Sequence, residues 1–186
     1  VTRILRYLKG TADHGLALHY DPDPALEAFC DSDFAGDTEA RKSTSGYVVT
    51  LSGIPICWAS RLQPLVATST LEAEYIALFD VSQELLFVWR LISEVSGKLV
   101  TVPTPIKCDN QGALQVARDP KFHKRTKHID VKYHAVRERV QGKQITIHYI
   151  SSADNVADVL TKALPRVPFQ RHVQKLVSCI PHESEQ

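Results

Sequence analysis

Residues 26–60 read LEAFCDSDFAGDTEARKSTSGYVVTLSGIPICWAS, and this stretch decides the fold. LEAFC is a short apolar run that stops at Asp31, the pattern of a buried strand reaching the end of a sheet. GYVVTLSG and IPICWAS read as two more strands. Ser52-Gly53 between them is a hairpin signal. Consecutive strands with short connections pair antiparallel.

Outward from that stretch the pattern changes. Upstream, Val1, Ile4, Leu5 and Leu8 repeat at helical spacing and Gly10 is a natural cap. GLALHY, residues 15–20, predicts a strand, and DPDP after it a turn. Downstream, Ala73, Ile76, Ala77, Val81 and Leu85 lie on one helical face within residues 69–96, as one long helix or two. PTPIKC predicts a strand ending at Asp109, and NQGALQVAR a helix stopped by Asp119-Pro120. KFHKRTKHIDVKYHAVRERV mixes bases with the apolar stripe Ile129, Val136 and Val140, its second half helical. KQITIHYI alternates as a strand, ADNVADVLTKAL and VPFQRHVQKLV read as helices, and the tail PHESEQ as disordered. The order βββ-α-β-α-α-β-α predicts an α/β fold, a mixed five-stranded sheet with helices on both faces.

Bulk properties limit the function. A chain of 186 residues with 44% hydrophobic content buries a real core. A net charge of +1 means that nucleic-acid binding would need a local patch. No apolar run approaches the roughly 20 residues of a membrane span, and no signal-peptide pattern opens the chain, so no membrane partner is expected. Methionine is absent and the chain begins at Val1, which predicts a piece of a longer polypeptide. Cys30, Cys57, Cys108 and Cys179 are scattered without a CxxC, which argues against zinc and for reduced thiols. His123, His128 and His134 are irregularly spaced and do not restore a zinc motif.

Carboxylates in four local contexts carry the chemistry. They are Asp31 in FCDSDFAGD, Glu74 in STLEAEYIAL, Asp109 in IKCDNQGAL and Asp158 in ADNVADVLTK. Brought together, they make an all-oxygen site for hard divalent cations. Two Mg²⁺ ions about 3.5–4 Å apart are a standard device for phosphodiester hydrolysis. Each acid also has a plainer reading: Asp31 as a solvated strand-end residue, Asp109 as a helix N-cap. Glu72 and Glu74 lie about 200° apart on a helix, so only one faces the sheet easily. Asp154 reads as an N-cap, with Asp158 on the same side one turn later. Asp33 and Asp37 read as loop acids, and Trp58 and Trp89 as core residues.

RYLKGT, DSDFAGD, RKSTSGY, STLEAEY, CDNQGAL, RTKHIDVKYH and DNVADVLTK, in this order from Arg6 to Leu164, resemble the ribonuclease H region of copia-type retrotransposon polyproteins. The resemblance implies hydrolysis of the RNA strand of RNA–DNA hybrids during reverse transcription. It implies Asp31, Glu74, Asp109 and Asp158 as catalytic metal ligands for two Mg²⁺ ions, with Mn²⁺ as a substitute. Asp31 and Asp109 would bridge the ions, Glu74 would hold one and Asp158 the other. Glu72 is then a solvated acid, and Cys30 and Cys108 point away from the metals into the core. Lys121, Lys124, Arg125 and Lys127, concentrated in a nearly neutral chain, read as a face that contacts hybrid phosphates or else as an ordinary solvated basic segment. Backbone amides and small residues near Gly112 or Ser43–Ser45 would meet the 2′-OH groups that distinguish RNA. Residues 1–24 would be the end of the reverse-transcriptase connection, 25–165 the ribonuclease H domain, and 166–186 a C-terminal helix and tail. The reverse-transcriptase domain of the same polyprotein would be the partner, in an intracellular setting: a cytoplasmic virus-like particle or the nucleus. One departure stands out: the loop SSAD, residues 151–154, lacks the His that assists product release in the wider fold, and His148 is a poor substitute.

Two rival readings remain. The same fold could be a catalytically idle, hybrid-binding or structural module. An integrase-like transferase would need a late Glu, whereas the Glu here comes second, in the first long helix.

Overall fold

The computed structural model describes residues 2–97, 102–118 and 127–179, with 127–130 and 179 described through the backbone alone. A five-stranded sheet is its centre, in the order β4 (Ile54–Leu62), β3 (Thr44–Leu51), β2 (Leu26–Asp33), β5 (Thr104–Cys108) and β6 (Ile145–Tyr149). Strands β2, β3 and β4 are the antiparallel set expected from residues 26–60. Ser52 and Gly53 both take positive φ, 51° and 79°, which makes the tight reversal between β3 and β4. β5 joins β2 in parallel, and β6 joins β5 likewise, so the sheet is mixed.

Alternation along β2 divides the faces. Ala28 and Cys30 join the core under α2 (Thr70–Ser96), which is one unbroken helix. Ala73, Ile76, Ala77, Val81 and Leu85 are buried along it, as their spacing predicts. Ser69 caps its start by accepting from the Glu72 amide, and Gly97 ends it in the left-handed conformation, φ 67°. α3 (Gln111–Arg118) and α4 (Lys127–Gln141) pack beside α2 on this face. Val136 is buried and Val140 partly so, and the Tyr133 ring lies 4.1 Å from that of Tyr75. On the opposite face sit a short 3₁₀ helix (Val156–Leu160) and α5 (Arg166–Leu176).

Several expectations change. Of residues 15–20 only Gly15 is in a strand, β1 (His14–Gly15), which pairs with β7 (Ser178–Cys179). ADNVADVLTKAL forms only the 3₁₀ turn, because Asn155 rather than Asp154 caps it and Pro165 follows closely. Trp58, on the edge strand β4, is 57% exposed rather than part of the core. Trp89 packs against the core and donates to Thr104 Oγ1 at 3.0 Å. Glu72 is buried rather than solvated: its carboxylate accepts from the Thr68 amide at 2.8 Å and the Thr68 hydroxyl at 2.5 Å. The helix α1 (Thr2–Gly10) forms as expected and buries none of its residues, although Tyr7 meets Phe169 of α5 edge-on at 6.2 Å. The tail from residue 180 lies outside the described residues.

Candidate active site

The site begins where β2 runs out. Asp31 stands near that end, almost wholly buried, on the face shared with the 3₁₀ helix. Its register partner on β3 is Gly46. A Cβ at Gly46 would lie 2.7 Å from Thr161 Cγ2 and 2.9 Å from Leu160 Cβ, so only glycine lets that segment rest on the sheet. Asn155, fully buried, fastens the same segment: Nδ2 donates to the Cys30 carbonyl at 2.9 Å while Oδ1 accepts from the Ala157 amide at 3.2 Å. This close seating brings Asp158, Thr161 and Lys162 to Asp31. Thr161 Oγ1 donates to Asp31 Oδ2. Lys162 Nζ lies 3.2 Å from Asp158 Oδ1 and 3.5 Å from Asp31 Oδ2.

Glu74 approaches from α2 on the other face. The Ser32 amide donates to its Oε1 at 3.3 Å. Asp109 follows the last residue of β5, and Ser152 Oγ donates to its Oδ2 at 2.5 Å. Asp109 belongs to two groups whose potential ligand atoms lie within 4.8 Å of one another: Asp31, Asp109 and Asp158, and Glu74, Cys108 and Asp109. All four acids therefore gather at one end of the sheet. Among the described residues the cap of α3 is Asn110 and not Asp109: Asn110 Oδ1 accepts the Ala113 amide at 3.0 Å.

Electrostatics mark the cluster as short of positive charge. Burial pushes the Glu74 carboxyl up to about 9, helped by the Cys108 thiol and the charges of Asp31 and Asp109. Burial and Asp31 push Asp158 up to about 6, with Lys162 opposing. Burial would lower the Lys162 ammonium, yet Asp31, Asp158 and Asp109 outweigh it and hold the group raised. Carboxylate oxygens crowded this closely, with one acid kept neutral by its surroundings, fit a hard divalent cation.

The remaining expected site residues fare differently. Ser43 is wholly buried; its hydroxyl accepts the Ala35 amide at 3.1 Å and its carbonyl the Gln63 amide at 2.8 Å, so it has no surface with which to meet nucleic acid. Ser45 is buried too and accepts from Gln63 Nε2. Gly112 is half-buried at the start of α3, where a Cβ would meet Leu71 Cδ1 at 2.9 Å. Lys121, Lys124 and Arg125 lie outside the described residues, as does the side chain of Lys127. Cys30 and Cys108 are buried as expected, but the Cys108 thiol does not turn away: it lies 3.9 Å from Glu74 Oε2, at the back of the site. Asp154 pairs with Arg171 at 2.6 Å, away from the cluster's acids. His148 is exposed and bonded to Thr146. The sequence reading takes only the acid from DNVADVLTK and misses Thr161 and Lys162, whose places three and four residues after Asp158 are the available signal.

Comparison with known proteins agrees with this geometry. No protein-family model matches the chain. It is 42% identical over 174 residues to the retrovirus-related Pol polyprotein from transposon RE2 of Arabidopsis thaliana, which covers 94% of the chain and 12% of that protein. It is also 42% identical over 167 residues to the Pol polyprotein from transposon TNT 1-94 of Nicotiana tabacum, covering 90% of the chain and 12% of that protein. The chain thus spans about an eighth of the length of these relatives. Among solved structures, LC11-RNase H1 in complex with RNA/DNA hybrid aligns with TM-score 0.54 at 16% identity, over 73% of this chain and 93% of that one. The N-terminal RNase H domain of a Mycobacterium tuberculosis protein aligns with TM-score 0.52 at 13% identity, over 81% of this chain and 96% of that one. The chain is a homologue of the Pol polyproteins of copia-type retrotransposons, in a segment with the ribonuclease H fold.

Proposed function

We propose that the chain is a metal-dependent endonuclease that hydrolyses the RNA strand of RNA–DNA hybrids. The convergence of Asp31, Glu74, Asp109 and Asp158, with Asp109 common to both ligand groups, carries this reading. Asp31, Asp109 and Asp158 would hold one divalent cation, and Glu74 with Asp109 a second. Such ions supply a hydroxide near neutral pH and charge for the leaving 3′-oxygen. The chain itself orients the ligands. The Thr161 hydroxyl fixes Asp31, the Ser152 hydroxyl fixes Asp109, and the Ser32 amide fixes Glu74. Mg²⁺ suits an all-carboxylate set, and Mn²⁺ would substitute.

The hybrid would lie across this end of the sheet, with Lys121, Lys124, Arg125 and Lys127 contacting phosphates and Gly112 near the RNA strand. Residues 25–165 would form the nuclease unit, flanked by the end of a reverse-transcriptase connection at 1–24 and by a helix and tail at 166–186. The reverse-transcriptase part of the same polyprotein would be its partner, inside the cell. The test is cleavage of a labelled hybrid with Mg²⁺, by wild type and Asp109→Asn. Wild type should cut only the RNA strand. The variant should fold, fail to cut, and show a smaller Mg²⁺-induced rise in Tm than wild type. A hybrid bound but left uncut by wild type would mark an idle binding module instead.

A further inference from the structure

The site acids have a cation of their own. Lys162 Nζ stands between Asp158 and Asp31, at 3.2 and 3.5 Å. Both carboxylates are buried, whereas the Lys162 side chain is 35% exposed, so it reaches them from the surface. Among the described residues no other lysine or arginine forms an ion pair with Asp31, Glu74, Asp109 or Asp158. Its position is built rather than incidental: Gly46, Asn155 and Thr161 hold the segment against the sheet.

We propose that Lys162 is a resident counter-charge: its ammonium occupies the Asp31–Asp158 pair in the cation-free protein and competes with a divalent cation for it. This rests on the metal-site reading above. An ammonium and a dication draw on the same carboxylate oxygens and repel each other, so they cannot both sit within about 4 Å without loss. Lysine suits an exchangeable role. It is a compact charge on a flexible stem, whereas the planar fork of arginine would clamp the two acids. With a third of its side chain in solvent, Lys162 can swing outward when a cation arrives. The ammonium therefore does two things: it keeps buried acids from splaying apart before loading, and it lowers the affinity with which the site takes up an ion.

The experiment compares wild type, Lys162→Met and Lys162→Arg by Mn²⁺ titration calorimetry and by melting in EDTA. The Met variant should melt lower than wild type in EDTA yet bind Mn²⁺ roughly tenfold more tightly. The Arg variant, whose fork would clamp the two acids, should bind Mn²⁺ more weakly than wild type, by about threefold or more, and tighter binding by it counts against the proposal. Unchanged or weaker Mn²⁺ binding by the Met variant, beside normal wild-type binding, overturns the counter-charge alone. Absence of Mn²⁺ binding by wild type overturns the metal site itself. If the Met variant is unfolded in EDTA, Mn²⁺ should fold it, and failure to do so counts against the proposal.

Discussion

Glu74→Gln should stabilise the cation-free protein, and by more as pH rises. The Glu74 carboxyl is buried, with an ordinary value of 4.5 pushed up to about 9, so near neutrality the folded state keeps a proton that the unfolded chain releases. The sign follows from linkage. A raised carboxyl favours folding at low pH, and that advantage is lost as pH climbs from the unfolded value toward the folded one. Between pH 4.5 and 7 a slope of about 1.4 kcal/mol per pH unit accumulates to about 3 kcal/mol. Relaxation and water entry reduce this, so about 1.5–3 kcal/mol is the expected gain of Gln over Glu at pH 7. For a chain of this size that is roughly 3–12 °C in Tm. Gln imitates the protonated acid and keeps an acceptor for the Ser32 amide, so the two proteins should melt together near pH 5. The assay is a series of melts in EDTA from pH 5 to 8. Added Mg²⁺ should reverse the order, because the cation needs the charge that Gln lacks. A Tm difference that stays flat with pH, or a wild type that is the more stable in EDTA at pH 8, would refute the reasoning.

Other perturbations address the seating of the 3₁₀ segment. Gly46→Ala places a methyl 2.7 Å from Thr161 Cγ2 and should destabilise by about 1–3 kcal/mol, read as a lower denaturant midpoint at unchanged slope, with cleavage falling further than stability explains. Asn155→Ala leaves the Cys30 carbonyl and the Ala157 amide without their partner; a loss of about 1–3 kcal/mol is expected, and a loss under a few tenths would show that water replaces the side chain. Replacing Lys124, Arg125 and Lys127 with Ala should weaken hybrid binding and flatten its salt dependence by about 0.7–0.9 slope units per lost phosphate contact, whereas an unchanged slope would place the backbone elsewhere.

Residues 26–60 were legible because each strand has one or both faces in the core, and burial writes itself as apolar runs and alternation. The acids at strand ends were legible for the complementary reason: a charge closing an apolar run is conspicuous. Glu72 was misread because helical angle alone assigns it to solvent, whereas the turn before the helix folds over it through Thr68. The length of the 156–160 helix was misread because a polar-apolar pattern cannot reveal how closely a segment will press on a sheet, which Gly46 decides from more than a hundred residues away. Lys162 went unnoticed for a similar reason. A base four residues after an acid is an everyday surface pair on a helix, and only the approach of Asp31 makes it a member of the site. The burial of Ser43 is not legible in the sequence because it arises from a turn whose amide the hydroxyl must satisfy.

The small ladder between β1 and β7 has a mechanical consequence. His14 pairs with Cys179 and Gly15 with Ser178, so the polypeptide leading in and the polypeptide leading out meet side by side, running antiparallel. Tension between the two would open that ladder like a zipper, one pair of bonds at a time, rather than shearing the five-stranded sheet. Load applied across residues 14 and 179 would thus be spent first on a two-residue clasp, and Asp31, near the end of β2, would feel it only after the clasp had parted.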